Sequence, residues 1–190
     1  MLKNNFFIFI IFIFVVSCQP VEVIDDIVFD YSQFTKVSLI AETKNIKNLY
    51  EPKYSENYID YSLSKPPITY LNQWLNANVN TFGNENLLEI NVLNSSLKKS
   101  EIKNNELNKY KEKTIFLFEI NYLVEFILYD NNNSILASII VEANRSTTSG
   151  KYISIQESEK IIDYLIFNSL RDFSNKAQEL IKIHLKNFIL

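Results

Sequence analysis

The stretch IFLFEINYLVEFILYDNNNSILASIIVEANR, residues 115–145, decides the fold. Phe116, Phe118, Ile120, Tyr122, Val124, Phe126 and Leu128 recur at every second position. A period of two is the signature of a strand with one buried face. Glu119, Asn121 and Glu125 fall on the other face, beside Leu123 and Ile127, so that face is partly apolar. Asp130-Asn131-Asn132-Asn133-Ser134 supplies residues that tolerate a left-handed backbone. Ile135, Ala137, Ile139, Val141 and Ala143 then alternate again, which predicts the returning strand of a hairpin.

Upstream, Leu88, Ile90 and Val92 alternate with Glu89 and Asn91 and predict another strand. Residues 98–114 are charged and lack an apolar stripe, so they read as a long solvated connection. Before them, Ile68, Leu71, Trp74, Leu75, Val79 and Phe82 repeat at steps of three and four behind Pro66-Pro67. That spacing predicts an amphipathic helix over 67–82, closed by Gly83 and anchored to the sheet by Trp74. Val37, Leu39 and Ala41 predict a first strand over Lys36–Thr43.

Downstream, Arg145 to Lys151 reads as a polar loop. Ser154 and Glu157 stand three apart as a capping box. A helix then runs almost to the end through Ile162, Leu165, Ile166, Leu170, Phe173, Ala177 and Ile181. At about 1.5 Å per residue it is on the order of 50 Å long, so it is expected to overhang or bend around the sheet. The order is β-α-β-β-β-α. The expected class is α+β, a two-layer sandwich of two amphipathic helices on a mostly antiparallel four-stranded sheet.

Candidate functional residues are few. Tyr50, Tyr54, Tyr58 and Tyr61 lie in a segment interrupted by Pro52. They suit either a partner surface or the packing of a loop onto the sheet edge. Arg145 opens a hydroxyl-rich run that can meet an anionic group. Together these five form the candidate partner surface. One histidine, His184, and one cysteine, Cys18, leave no hydrolytic triad and no zinc site of His and Cys. Two glycines, Gly83 and Gly150, leave no phosphate-cradling loop. The expectation is a protein that is not an enzyme and uses no cofactor and no metal.

The front of the chain has a different character. Lys3 precedes an unbroken apolar run from Phe6 to Val16, followed by Ser17 and Cys18. Such a run is about 16 Å long as a helix, too short for a hydrocarbon core of about 30 Å. A positive start, a short apolar stretch and a small residue before the cut describe a secretory signal. The expected layout is a signal peptide at 1–17, a tether at 18–35 and one domain at 36–190. Without the leader, 19 basic and 22 acidic residues become 18 and 22, because Lys3 leaves with it. No basic surplus points to nucleic acid.

Val15-Val16-Ser17-Cys18 resembles the lipobox of bacterial envelope lipoproteins. The resemblance implies cleavage between Ser17 and Cys18, a diacylglycerol on the Cys18 sulfur and an acyl chain, commonly palmitate, on the new amine. Gln19 in place of Asp implies the outer membrane, on its periplasmic face. In layout the remainder resembles two families: the lipopolysaccharide-assembly lipoprotein that plugs an outer-membrane barrel, and the auxiliary lipoprotein of ABC-type lipid transporters. What this implies is a membrane-anchored binding or assembly module whose partner is an envelope protein complex or a lipid. The tyrosine-rich insert and the 98–114 connection depart from both patterns. Two alternatives stand beside it: an envelope hydrolase with an atypical carboxylate site, and a self-associating structural lipoprotein.

Overall fold

The computed structural model describes residues 26–104 and 113–190. The leader, Ser17, Cys18 and the start of the tether lie outside the described residues, as do residues 105–112 of the expected connection. The elements are β1 (Val37–Leu39), β2 (Thr43–Asn48), α1 (Pro67–Asn78), β3 (Val79–Thr81), β4 (Leu87–Lys103), β5 (Thr114–Tyr129), β6 (Ile135–Ser149) and α2 (Ile155–His184). One sheet has the order β2-β4-β5-β6, antiparallel from β4 to β6 with β2 parallel to β4. A second, two-stranded parallel sheet joins β1 to β3. The protein is an α+β fold with two helices on a mostly antiparallel four-stranded sheet.

The hairpin forms where the alternation places it. Val124 faces Val141 and Phe126 faces Ile139. The Asp130 carboxylate accepts from the Asn132 and Ser134 amides at 2.8 and 2.7 Å, and Asn133 takes φ 62°. Side-chain bonds from an Asp to backbone amides two and four residues on hold such a turn closed.

The strands run further than the hydrophobic pattern does. β6 takes in Arg145–Ser149, where a loop was expected, and β4 continues through Lys98–Lys103 into the expected solvated connection. Ladder pairing with β5 satisfies their backbone groups, with Glu101 opposite Phe116 and Thr148 opposite Leu117. Lys99 falls on the apolar face and lays its ammonium 3.9 Å from the Phe116 ring. A long stem over an aromatic face lets a charged residue cover apolar surface. With strands of 15 to 17 residues, each on the order of 50 Å long, the sheet matches α2 in length. Buried positions accordingly extend along the helix from Ile162 to Ile181 and on to Leu185. Only the first turn, with Ile155 exposed, reaches beyond the core.

The expected strand at 36–43 is divided. Val37–Leu39 belongs to the small sheet, and the fourth strand of the main sheet is Thr43–Asn48. The break lies beside Gly83, whose φ is 148°. A Cβ there would sit 3.4 Å from Ile40 Cγ2 and 3.5 Å from the Ala41 nitrogen. Those are ordinary contact distances, so Gly83 is suited to its place by the positive φ of this connection and not by a helix-capping role. The helix ends earlier, at Asn78, because Val79–Thr81 pairs with β1. Its terminal carbonyls are met by Lys44, whose ammonium donates to the oxygens of Val79 at 2.6 Å and Leu75 at 3.2 Å. A cation there favours the negative end of the helix dipole. Burial lowers the Lys44 pKa.

α1 buries Tyr70, Leu71, Trp74 and Leu75. Trp74 meets Phe173 of α2 edge-on at 5.3 Å, and Phe173 meets Tyr122 of β5 at 6.1 Å. Three fully buried aromatic rings therefore tie both helices to the central strand. The Ser154–Glu157 box is formed, with the Glu157 amide donating to Ser154 Oγ at 3.1 Å and the Ser154 amide to Glu157 Oε2 at 2.8 Å. Ahead of β1, Phe29 stacks on Tyr70 at 4.0 Å, and Tyr31 donates to Gln73 Oε1 at 2.7 Å. Val28 stays exposed.

Truncating the ring that joins the layers, Trp74→Ala, is expected to cost about 3–5 kcal/mol in urea unfolding. Tyr122→Phe is expected to leave stability within about 1 kcal/mol of the parent or to raise it, because the buried Tyr122 hydroxyl finds no partner among the described residues. Burial pushes the phenols of Tyr31, Tyr50, Tyr70 and Tyr122 above 10, and Tyr31 up to about 12. A raised folded-state pKa gives stability that is complete below the unfolded value and lost as pH rises through the folded one. Unfolding free energy is therefore expected to fall from pH 10 upward, through the Tyr31 value of about 12, with phenolate absorbance rising later than in the unfolded chain.

Candidate functional site

Both helices pack on the side of the sheet that carries Tyr122, Val124 and Phe126. The opposite parity of β5 (Leu117, Glu119, Asn121, Leu123, Glu125, Ile127) belongs to the back face. This face is less apolar than the sequence suggested, since Ile127 is buried and Leu123 half-buried. Register builds polar rows across it. Lys98, Glu119 and Ser146 form one row; Ser96, Asn121 and Asn144 form the next.

A segment of the tyrosine-rich insert extends these rows. The Ile59 amide donates to the Leu97 carbonyl at 3.0 Å, and the Lys99 amide donates to the Asn57 carbonyl at 2.8 Å. Residues 57–59 thereby lie along β4 beyond the end of β2, with Tyr58 opposite Lys98. The Lys98 and Lys53 ammonium groups stand 5.1 and 5.3 Å from the Tyr58 ring. A depression of about 360 Å³ opens here, bordered by Tyr58, Asn94, Ser96, Lys98, Glu119, Asn121, Asn144 and Ser146.

Two of the bordering residues, Asn121 and Asn144, belong to an amide–carboxylate network with Glu142. Asn121 Nδ2 and Asn144 Nδ2 donate to Glu142 Oε1 at 3.0 and 2.9 Å, and Asn121 also bonds Asn144 Oδ1. The hydrogen bonds from Asn144 and then Asn121 hold the Glu142 carboxyl below the usual carboxylate range. Asn121 Oδ1 has no partner among the described residues. Side chains of this kind offer donors and acceptors in a plane with opposite charges interspersed, which suits recognition of a polar surface.

The five expected partner-surface residues separate into three settings. Tyr50 turns inward and donates to the buried Asp60 at 2.7 Å. Tyr54 and Tyr61 form an exposed pair with ring centres 5.1 Å apart. Tyr58 and Arg145 border the same depression, but Arg145 lies within β6, opposite Ile120, and its guanidinium bonds Asp172 of α2. The expected loop arginine is therefore a strand residue held from the helix side. The sequence reading missed Lys98, Asn144 and Glu142. The available signal was the polar parity of Glu119 and Asn121, whose cross-strand partners are Lys98 and Asn144; Glu142 lies opposite Leu123 and reaches Asn121 diagonally.

A second cleft, about 360 Å³, lies between the starts of the two helices, with Lys65, Tyr70, Glu159 and Asp163 among its walls. Burial, then the charge of Glu159, raises the Asp163 pKa. Here alone among the described clefts does a carboxylate pair with a raised member occur, so the hydrolase alternative would be located here. Among the described residues no group of three or more His, Cys, Asp or Glu is placed to hold a metal, and no helix is long and apolar enough to cross a membrane.

No protein-family model matches this chain, and no curated protein does. Among solved structures it is similar to a minor lipoprotein from Acinetobacter baumannii, at 15% identity and a TM-score of 0.41, over 79% of this chain and 96% of that one. It is also similar to the rare lipoprotein B from Shewanella oneidensis, at 12% identity and a TM-score of 0.39, over 75% of this chain and 96% of that one. Likeness at this level carries no argument about function.

The Glu142 carboxyl is expected to titrate below 4.5 when followed by carbon NMR, and to move upward in Asn144→Ala. A lowered folded-state pKa gives stability that is present above the unfolded value and lost as pH falls through the folded one. Acid unfolding of Asn144→Ala is therefore expected to depend less on this carboxyl.

Proposed function

We propose that this protein is a lipid-anchored, non-catalytic binding and assembly module of the cell envelope, held to the periplasmic face of the outer membrane through Cys18. The observation that carries the reading is the apolar run Phe6–Val16 ending at Ser17-Cys18, the one cysteine of the chain. A single acyl chain gives marginal membrane binding, whereas two or more give stable anchoring. Within the folded part, the back face supplies the surface offered to a partner. It lies opposite both helices, and the insert extends it with Tyr58.

The partner is an envelope lipid or lipopolysaccharide transport machine, for which the module serves as an accessory. A broad face with polar rows and an aromatic edge fits protein contact, because aromatic bodies with polar tips anchor interfaces while amides set register. The runner-up is an envelope hydrolase working at the cleft of Glu159 and Asp163, whose raised Asp163 is the specific observation in its favour.

Intact-mass analysis of the protein extracted from membranes of its native cells tests the anchor. The expected result is a chain lacking residues 1–17 and carrying acylated glycerol and a fatty amide on Cys18. Met1–Ser17 retained beside an unmodified Cys18 would overturn it. Co-purification of transport subunits with the parent chain, and its loss in a Glu119→Arg, Asn121→Arg double variant, is expected for the module. A hydrolytic activity abolished by Asp163→Asn would favour the hydrolase.

A further inference from the structure

The tether joins the folded part at a fixed place. Asp26 forms an ion pair with Lys160 of α2 at 2.9 Å. Phe29 stacks on Tyr70 and meets Phe167 edge-on at 5.7 Å. Cys18 precedes Asp26 by eight residues, and a chain of that length spans at most about 29 Å. A bilayer that holds Cys18 therefore passes within that distance of Asp26.

This reach selects one end of the domain. From Lys160, α2 continues 24 residues to His184, about 36 Å. A bilayer lying across that far end is out of reach of Cys18. In the other direction Lys160 is five residues from Ile155 at the start of α2, about 8 Å. The β4–β5 hairpin closes this same end. Arg145 of β6 and Asp172 of α2 are bonded and mark one level. From there α2 runs back 17 residues to Ile155, about 26 Å. The strands run four residues to Ser149, level with Phe116 and Glu101, and two more to Lys103, about 20 Å in all.

The side chains at this end suit a bilayer interface. Tyr152 is 84% and Ile155 81% exposed, whereas Leu190, at the far end, is 65% exposed. Glu101 is paired with Lys151, and Glu157 closes the helix cap. Lys103 and Lys113 stand exposed at the ends of the hairpin strands. The tip thus keeps a positive balance in a chain of net charge −3. Tyrosine settles at the headgroup level, and lysine lays its stem along apolar surface with the charge in water.

We propose that this end, with Tyr152, Ile155, Lys103 and Lys113 at its centre, docks on the anionic phospholipid surface that holds Cys18. The inference rests on the lipid anchor proposed above. Weak docking suffices, because the anchor makes it intramolecular, at an effective concentration on the order of millimolar. Seated this way, the domain stands on end with its strands steep to the bilayer. The depression bordered by Glu119 and Ser146 is then held about 20 Å above the lipid, and the 130–134 turn points away. The back face is presented side-on at a set height, which a domain swinging on its tether would lack.

The test uses the mature, lipidated chain in vesicles of phosphatidylethanolamine and phosphatidylglycerol. Lipid blocks the Cys18 sulfur, so an introduced thiol alone takes a fluorophore. Gln156→Cys, on the exposed first turn of α2, is compared with Asn132→Cys in the far turn. Quenching by nitroxide-bearing lipids is expected to be at least about threefold stronger at 156, since about 50 Å of strand separates the two sites. Tyr152→Glu combined with Ile155→Glu, both at exposed side chains, is expected to bring position 156 to the level of 132. Circular dichroism and flotation with the vesicles are expected to stay unchanged. Equal quenching at both positions, stronger quenching at 132, or a signal at 156 that survives the double change would each overturn the docking and leave the anchor standing. A chain that does not float and has a free Cys18 thiol would overturn the anchor, and the docking with it.

Discussion

The constraint on which the structure depends is that β5 is paired on both sides and can bury only one parity of its side chains. Tyr122, Val124 and Phe126 are fully buried, and the rings of Phe173 and Trp74 close over Tyr122. A slip of one residue would turn these side chains to the other face and bring Glu119 and Asn121 under the helices. Burying a carboxylate and an amide without matched partners costs several kcal/mol each, so the register is held by the core. The same register sets the polar rows on the far side. The candidate surface is thus the obverse of the core and needs no separate scaffold.

Two bulges make this possible. The apolar parity is even in β5 and odd in β6, whereas the turn closes on Tyr129 opposite Ile135, odd against odd, so the ladder must gain a residue beyond the turn. It does so between Leu128 and Tyr129. On the other side, β4 buries Leu88, Ile90 and Val92 and then Ser95 and Leu97; its shift lies between Val92 and Asn94. A bulge adds one residue and reverses parity beyond it. The second shift also places Asn94 at the depression, where its side chain accepts from the Ser96 amide at 3.1 Å.

Local signals in the sequence were strong, and the structure follows them. Alternation located β5 and β6, and the Ser154–Glu157 spacing located the start of α2. Non-local pairing was less legible. β2 has one apolar residue, Ile46, and is a strand because β4 lies parallel beside it. The outer ends of β4 and β6 carry one apolar residue between them, Ile102, so their sequence resembles a loop; the ladder stabilises them, and side-chain periodicity does not reveal that. Glu119 and Asn121 could be assigned to a face from parity alone. Their meeting with Glu142 and Asn144 depends on the bulge, and that of Tyr58 with Lys98 on an irregular segment folding back 40 residues in sequence.

Function in this account follows from the division between a face committed to the core and a face left for recognition. The most direct measurement is site-specific photo-crosslinking in native membranes. A photoreactive residue at Glu119, on the back face, is compared with one at Asn175, exposed on α2. The account predicts discrete partner adducts from position 119 and none from position 175. Adducts from position 175 with none from position 119 would contradict it.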